Sequence, residues 1–193
     1  MKMLPFTGSG VALITPFKPD GTPNYEKLDE LIEMHVANKT DAIIICGTTG
    51  EAPTLPDDEH LEVIKHTVET AAGRIAVIGG TGSNYTRHAI EFSQKAEEFG
   101  CDGVLCVTPY YNKASQKGLV EHYKAIAESI SIPVILYNVP SRTGVNISIP
   151  ALKELAKVEN IVAIKEASGN ISYATKIRKE VPELYMYSGN DDM

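Results

Sequence analysis

The stretch NIVAIKEASGN, residues 160–170, begins as an apolar strand and ends that strand with a lysine, Lys165. A short apolar run followed by a glycine-containing turn is typical of a β-strand buried on both faces. An ammonium group is unfavourable inside such a strand, because burial penalises its charged form. If side chains alternate regularly, Lys165 shares one face of the strand with Ile161 and Ala163.

Six other runs of similar length and composition occur along the chain. The seven runs are GVALIT from Gly10, DAIIIC from Asp41, RIAVIG from Arg74, DGVLCV from Asp102, PVILY from Pro133, IVAIK from Ile161 and LYMYS from Leu184. Their starts are 31, 33, 28, 31, 28 and 23 residues apart. Since a strand with its crossover helix takes about 30 residues, this spacing predicts a repeated strand–helix unit.

The segments between the runs have helical patterns. Residues 24–39 place apolar side chains at helical spacing, and residues 56–73 begin with a proline and acidic residues and end at a glycine, as helices do. Residues 83–100, 116–130, 149–159 and 171–181 follow the same style. Strands that alternate with helices form a parallel sheet. Either a doubly wound sheet or a (β/α)8 TIM barrel is compatible with this order, and the regular period favours the barrel.

Glycine and polar residues follow the same end of every predicted strand. These segments are Thr15-Pro16, GTTGE at 47–51, GGTGSN at 79–84, TPYYNK at 108–113, Tyr137 with NVPSRTG at 138–144, Lys165, and SGNDD at 188–192. TIM-barrel enzymes carry their active sites at the C-terminal ends of the strands. Each segment alone is compatible with an ordinary turn, but their common position predicts one catalytic face.

Lys165 has both a structural and a chemical interpretation. Its stem could extend along the strand with the ammonium in water, as most lysines do. If it points into the barrel, desolvation lowers its pKa, and a neutral lysine amine forms Schiff bases with carbonyl compounds. Hydroxyl groups and one guanidinium are predicted at other strand ends, on Thr48, Thr49, Tyr111, Tyr137 and Arg142. Together with Lys165 they predict a Schiff-base lyase or aldolase that acts on a carboxylate substrate.

Composition excludes several other classes of protein. The net charge of −7 over 193 residues leaves no basic surface for nucleic acid or anionic lipid, and the longest apolar runs hold about four residues, whereas a membrane helix needs roughly 20. The N-terminus lacks a signal-peptide pattern. Three cysteines, predicted to be reduced and packed, indicate a cytoplasmic protein. The five histidines fall on predicted helices without a metal-binding pair, and the glycine-rich turns lack the lysine of a P-loop.

Five longer motifs occur along the chain: GTTGEAPTL, TPYYNKASQKGL, YNVPSRTG, IVAIKEASGN and YSGNDD. They resemble the dihydrodipicolinate synthase family, within the pyruvate-dependent class I aldolase and N-acetylneuraminate lyase superfamily, and the likeness extends from Gly8 onward. It implies a single (β/α)8 barrel domain over residues 1–193, truncated after about seven strands, since strand 8 and the C-terminal helices of the family are absent. It also implies a homo-oligomer, dimer or tetramer, that condenses pyruvate with L-aspartate-4-semialdehyde in lysine and diaminopimelate biosynthesis without metal or organic cofactor.

The resemblance also assigns roles to individual residues. Lys165 would form the Schiff base with pyruvate, and Tyr137 would act as the general acid and base. Thr48 would connect Tyr137 to Tyr111 in a proton relay, with Tyr111 contributed by the neighbouring subunit. For substrate binding, the resemblance implies that Thr49 holds the carboxylate of pyruvate, Arg142 holds that of the semialdehyde, and Gly189 supplies a backbone contact.

Three alternatives remain at this stage. A pyruvate-dependent sugar-acid aldolase resembles the pattern around Lys165, but those enzymes usually lack an arginine at the position of Arg142 and read GSTGE instead of GTTGE. A truncated, inactive homologue with a structural role would form no pyruvate adduct. A nucleotide-binding protein is the weakest reading, because no ribose-binding acid lies at the expected distance.

Feedback inhibition by lysine is a further expectation of the resemblance. Asn84, Tyr110 and His60 match positions of the family's lysine pocket, but His88 stands where lysine-sensitive members usually carry a glutamate. Ala52-Pro53 and Asp57 also differ from the sensitive pattern. Since an imidazole is a poor partner for an ammonium group, we expect weak sensitivity to lysine.

Overall fold

The computed structural model describes residues 2–192, which form seven parallel strands in one curled sheet with the strands in chain order. The strands are β1 Gly10–Ala12, β2 Ala42–Ile45, β3 Ala76–Gly80, β4 Gly103–Val107, β5 Val134–Asn138, β6 Ile161–Glu166 and β7 Tyr185–Ser188. The predicted barrel architecture, incomplete after seven strands, is therefore confirmed.

Seven α-helices connect the strands. They are α1 Tyr25–Ala37, α2 Asp57–Ala71, α3 Thr86–Phe99, α4 Gln116–Glu128, α5 Pro140–Thr143, α6 Ile149–Leu155 and α7 Ile171–Glu180, and a 3₁₀ turn spans Ala52–Thr54. Asn24, Ser115, Ser148 and Asn170 each accept a hydrogen bond from a backbone N–H three residues later, which satisfies a free donor at the helix start. The sequence patterns did not predict α5 or the 3₁₀ turn, because both are single turns without hydrophobic periodicity.

Strands β2 to β6 are largely buried on both faces and so divide the apolar core in two. Residues such as Ile43, Ile45 and Leu136 pack outward against the helices, whereas Ile44 and Ile135 pack inside the curled sheet. Alternation along each strand sends neighbouring side chains to opposite sides. This arrangement explains why the runs are continuously apolar, and it leaves the strand ends as the positions where polar groups reach the interior.

A β-bulge interrupts the pairing of β5 with β6. Val134 pairs with Ile161, but the next residue of β5, Ile135, pairs with Ala163, so that Val162 is an extra residue in β6. As a result Ile161 packs in the outer core and Ala163 in the inner one. The prediction that Lys165 shares a face with Ile161 is wrong for this reason, since a bulge reverses the alternation.

The N-terminal segment, which precedes β1, contacts the other edge of the sheet. At the N-terminal end of β6, Lys2 Nζ donates to the carbonyl groups of Ala156 (2.8 Å), Val158 (2.6 Å) and Ile161. Near the top, the Phe6 ring stacks on Tyr187 of β7 with centroids 4.6 Å apart, and Tyr187 donates its hydroxyl to the Phe6 carbonyl at 2.6 Å. The segment before β1 thus contacts the last strand directly.

The cysteines pack as the sequence predicts: Cys46, Cys101 and Cys106 are free thiols in the core. Within residues 2–192, no helix combines the length and apolar character needed to cross a membrane.

Candidate active site

A cavity of about 570 Å³ opens at the C-terminal ends of the strands, and we call it the Lys165 cavity. Six of the residues predicted to act in catalysis or binding line it: Thr48, Thr49, Tyr137, Arg142, Lys165 and Gly189. They come from the ends of β2, β5, β6 and β7 or from the segments that follow them. The parallel arrangement of the strands brings these residues together.

Lys165 lies between two tyrosines in the sheet. Tyr137 of β5 and Tyr187 of β7 are its register partners on either side, and its Nζ lies 4.7 Å from the centroid of the Tyr137 ring. A cation at this distance is attracted to the ring face. The ammonium is thus held over the ring of the residue that is predicted to exchange protons with the substrate.

Burial lowers the pKa of Lys165 below its ordinary value, while the carboxylate of Asp191 partly opposes that shift. Desolvation disfavours the charged form of an amine, so a larger fraction of Lys165 is neutral at a given pH than for a lysine in water. Only the neutral amine has a lone pair for attack on a carbonyl carbon. The cavity therefore favours the reactive form of the lysine.

The Tyr137 backbone is fixed from the neighbouring strand. Its carbonyl accepts hydrogen bonds from the backbone N–H of Thr108 (3.0 Å) and from the Thr108 hydroxyl (2.9 Å). The side chain is 7% exposed. Tyr137 thus presents its ring to the cavity from a rigid strand end, which is what precise positioning of a proton donor requires.

The GTTGE turn that carries Thr48 and Thr49 has a tightly constrained backbone. Cys46 before it and Glu51 at its end have φ values of 52° and 57°, in the left-handed region that non-glycine residues rarely adopt. A Cβ on Gly50 would lie 3.1 Å from the carbonyl oxygen of Leu13, and Thr15 donates to the Gly50 carbonyl at 2.7 Å. This close contact with the segment after β1 holds the two threonines at the cavity.

Gly189 must remain without a side chain because Ala167 and the Lys165 stem occupy the space beside it. A Cβ at this position would lie 2.8 Å from the Ala167 Cβ and 3.0 Å from the Lys165 Cε. The Gly189 N–H also donates to the carbonyl of Glu166 at 2.8 Å, which ties the end of β7 to the end of β6. Its contribution to the cavity wall is a backbone surface packed against the lysine stem.

Arg142 is exposed at the cavity mouth on α5. The helix is held by Thr143, whose buried hydroxyl is 3.0 Å from the Val145 carbonyl and 3.3 Å from the Val139 carbonyl. A guanidinium binds a carboxylate in a two-pronged geometry. The exposed guanidinium can therefore bind a carboxylate at the mouth of the Lys165 cavity.

Tyr111 is the predicted residue that does not line the cavity. It is 91% exposed and has a φ of 75°. Several lining residues had no role assigned from the sequence, among them Phe6, Tyr187 and Asp191. The alternation of LYMYS places Tyr187 on one face with Tyr185, a signal that could have identified it, whereas the contribution of Phe6 depends on a contact 181 residues away along the chain.

A second cavity of about 150 Å³, the His60 cavity, shares part of its wall with the first. Both cavities are lined by Gly47, Thr48, Leu105 and Tyr137. In the second one, His60 donates from Nε2 to the Gly80 carbonyl at 2.8 Å, and burial lowers the pKa of this histidine. His88 Nε2 lies 3.2 Å from the Asp57 carboxylate.

Comparison with known proteins points to one family. Residues 5–193 match the family described as the dihydrodipicolinate synthetase family. The chain is 59% identical over 187 residues to 4-hydroxy-tetrahydrodipicolinate synthase of Caldicellulosiruptor bescii, covering 97% of this chain and 63% of that one. The chain therefore spans less than two thirds of the length of this relative.

Solved structures give the same result. The crystal structure of dihydrodipicolinate synthase from Aquifex aeolicus superposes with a TM-score of 0.93 at 52% identity, covering 96% of this chain and 64% of that one. The chloride-inhibited enzyme from Acinetobacter baumannii, complexed with pyruvate, gives a TM-score of 0.93 at 47% identity over 96% of this chain and 64% of that one.

Proposed function

Because the chain belongs to the dihydrodipicolinate synthetase family, we propose that it carries the Schiff-base site of a cytoplasmic 4-hydroxy-tetrahydrodipicolinate synthase. This lyase condenses pyruvate with L-aspartate-4-semialdehyde in lysine biosynthesis. The observation that carries the proposal is Lys165 itself, a desolvated amine with a lowered pKa in a cavity that also presents hydroxyl groups and a guanidinium.

In the first half of the reaction, the neutral Lys165 amine attacks the ketone carbon of pyruvate. A C–N bond forms, and the ketone oxygen leaves as water after taking up protons, which gives an imine. Loss of a proton from the methyl carbon then gives an enamine, with the protonated imine nitrogen acting as the electron acceptor. No external oxidant or reductant is needed.

In the second half, the enamine carbon attacks the aldehyde carbon of the semialdehyde. The aldehyde oxygen takes up a proton and becomes a hydroxyl group. The amino group of the same substrate then attacks the imine carbon, closes the ring and displaces Lys165 as a free amine. Tyr137 donates and accepts the protons of these steps, since its ring lies beside the lysine.

Proton relay beyond Tyr137 is assigned to Thr48 and to Tyr111 of a neighbouring subunit. Two features support a role for Tyr111 outside its own chain: its side chain is almost fully exposed, and its backbone is held in a left-handed conformation. Strain of this kind is often found at functional positions. We therefore propose a homodimer or a tetramer built from such dimers as the active form.

Substrate carboxylates are assigned to two separate positions. Thr49 binds the carboxylate of pyruvate and Gly189, which lines the same cavity, supplies a backbone contact; Arg142 binds the carboxylate of the semialdehyde at the mouth. A pyruvate-dependent sugar-acid aldolase is the second candidate, because it would use the same lysine. A panel of pyruvate acceptors separates the two: we expect turnover with aspartate semialdehyde and none with sugar aldehydes.

Reductive trapping tests the central step. The protein is mixed with pyruvate and borohydride, and the intact mass and the modified peptide are measured, with Lys165→Ala as the control. We expect one adduct, at Lys165, that is absent in the variant. A folded sample that forms no adduct would exclude Schiff-base chemistry in this chain and favour an inactive, structural homologue.

A further inference from the structure

Two buried polar residues lie directly behind the reactive pair. Asn138 follows Tyr137 on β5 and is 0% exposed, and Glu166 follows Lys165 on β6 and is 6% exposed. Since side chains alternate along a strand, both point away from the Lys165 cavity, toward the helices. Neither was singled out by the sequence, and the proposed reaction does not use them.

The two side chains bind each other and bridge the strand ends. The Asn138 Nδ2 donates one proton to Glu166 Oε2 at 2.7 Å and the other to Asn146 Oδ1 at 2.8 Å, and its Oδ1 accepts from the Ile147 N–H at 3.1 Å. Every polar atom of the Asn138 side chain therefore has a partner. The second Glu166 oxygen accepts from the Ser168 N–H at 2.7 Å.

Glu166 is an unusual group for this position. Among residues 2–192, no lysine, arginine or histidine forms an ion pair with it, so its hydrogen bonds come from neutral donors. Burying a carboxylate is costly, and that cost is offset only where the hydrogen bonds have good geometry. A fold that required only packing at this site would be better served by an apolar side chain.

The register of the strands connects this pair to the site. Asn138 and Glu166 are cross-strand partners, and the preceding pair in the same ladder is Tyr137 and Lys165. The Glu166 carbonyl also accepts the Gly189 N–H at 2.8 Å, which extends the connection to the end of β7. If Asn138 and Glu166 separated, Tyr137 and Lys165 would therefore move apart as well, because each strand contributes one residue to both pairs.

We propose that Asn138 and Glu166 are positioning residues that hold the Lys165 amine against the Tyr137 ring. The proposal rests on the function proposed above, since it assigns a role only if Lys165 forms the Schiff base. The pair bridges the ends of β5 and β6, and the bulge at Val162, four residues before Glu166, makes the ladder irregular nearby. A misplacement of about 1 Å is enough to slow a reaction roughly 100-fold.

The test compares Asn138→Ala and Glu166→Gln with a matched control, Asn160→Ala. Asn160 lies at the opposite end of the same two strands, where its Nδ2 donates to the carbonyls of Ala127 (2.8 Å), Ile130 (3.0 Å) and Ile132 (3.4 Å). The Asn160→Ala substitution removes hydrogen bonds between the start of β6 and the connection from α4 to β5, and Asn160 does not line the Lys165 cavity. Each variant is assayed for urea unfolding and for the rate of pyruvate adduct formation as a function of pyruvate concentration.

We expect Asn138→Ala to lower the maximal rate of adduct formation about 10- to 100-fold, with the half-saturating pyruvate concentration changed by less than about threefold. Glu166→Gln should lower the rate less, because the glutamine oxygen can still accept the hydrogen bond from Asn138. Some loss is expected, because the glutamine NH2 group then faces the Ser168 N–H, which loses its acceptor. The double variant should be no slower than Asn138→Ala, since the two residues act as one unit. Asn160→Ala should lose stability and keep the wild-type rate.

Two results would overturn the proposal: a wild-type maximal rate in folded Asn138→Ala, or an equal loss of rate in Asn160→Ala at equal stability. If Asn138→Ala does not fold, Glu166→Gln decides by the same criteria. Failure of the wild-type protein to form an adduct is a separate outcome, which would contradict the proposed function and not the placement of these residues.

Discussion

At the scale of single residues, two opposing effects act on the pKa of Lys165, namely burial and a nearby carboxylate. Burial in the cavity lowers the pKa of the amine, and the Asp191 carboxylate stabilises the ammonium and raises it. Both groups line the same cavity. The protonation state of the Lys165 amine therefore depends on the Asp191 carboxylate as well as on burial.

We expect Asp191→Asn to shift the rising limb of adduct formation to lower pH. Removing the carboxylate removes the effect that raises the pKa, so the amine loses its proton at lower pH and is more often neutral there. The rate of borohydride trapping at saturating pyruvate, measured across the pH range, tests this. Asp192→Asn makes the same charge change next to it and should leave the profile in place, and a shift toward higher pH in Asp191→Asn would contradict the assignment.

At the scale of elements, α5 is a single turn that owes its shape to one side chain. It holds four residues, Pro140–Thr143, too few to be stable alone. Thr143 is 3% exposed, and its hydroxyl oxygen lies within hydrogen-bonding distance of the Val139 and Val145 carbonyls and of the Val145 N–H. Arg142 depends on this turn for its place at the cavity mouth.

We expect Thr143→Val to weaken binding of the second substrate while leaving pyruvate trapping intact. Valine keeps the shape but leaves a buried N–H unpaired, at a cost of about 1–3 kcal/mol. The KM for aspartate semialdehyde should rise several-fold, roughly 3- to 10-fold if about 1 kcal/mol of that cost reaches Arg142. Steady-state kinetics measure this.

The matched control is Thr67→Val, which removes a buried hydroxyl bonded to the Val63 carbonyl in α2. An unchanged KM in Thr143→Val would refute the role of α5.

At the scale of the whole molecule, two cavities lie on either side of one wall. Thr48 and Tyr137 line both, so a ligand in the His60 cavity would press on residues proposed to move protons in the other. Among the described residues of the His60 cavity, Asp57 is the single carboxylate, and it already lies 3.2 Å from His88. An ammonium ligand would have to compete with that histidine.

We expect lysine at about 1 mM to remove less than half of the activity. At that concentration a ligand half-occupies a site with a binding free energy of about −4 kcal/mol, so the expectation is that lysine binds more weakly than this. His88→Glu should increase the sensitivity, because it adds a carboxylate to the cavity and frees Asp57. Gln94→Glu adds the same charge elsewhere on α3 and should have no effect. Inhibition curves for the three proteins test this, and strong inhibition of the wild type would contradict the expectation.

The sequence by itself determined the succession of strands and helices and the end of the sheet at which the chemistry lies. Both follow from local patterns: apolar runs at a regular interval, and GTTGE, NVPSRTG and Lys165 after the same end of each run. Parallel strands place these ends on one face whatever the details of packing. The resemblance to a family added roles for individual residues, and those roles remain predictions.

Only the tertiary structure decided the features that depend on contacts between distant residues. The bulge at Val162 arises from the pairing of β5 with β6, and no local pattern in IVAIKE predicts it. Phe6 contacts Tyr187, which lies 181 residues later in the chain. Tyr111 lies outside the Lys165 cavity of its own chain, and its role in the site of a neighbouring subunit stays a prediction. Asn138 and Glu166 read in the sequence as ordinary polar residues after a strand; burial and a 2.7 Å hydrogen bond make them a unit. Periodicity records which face a side chain occupies, whereas register, bulges and long-range contacts are fixed by the packing of whole elements.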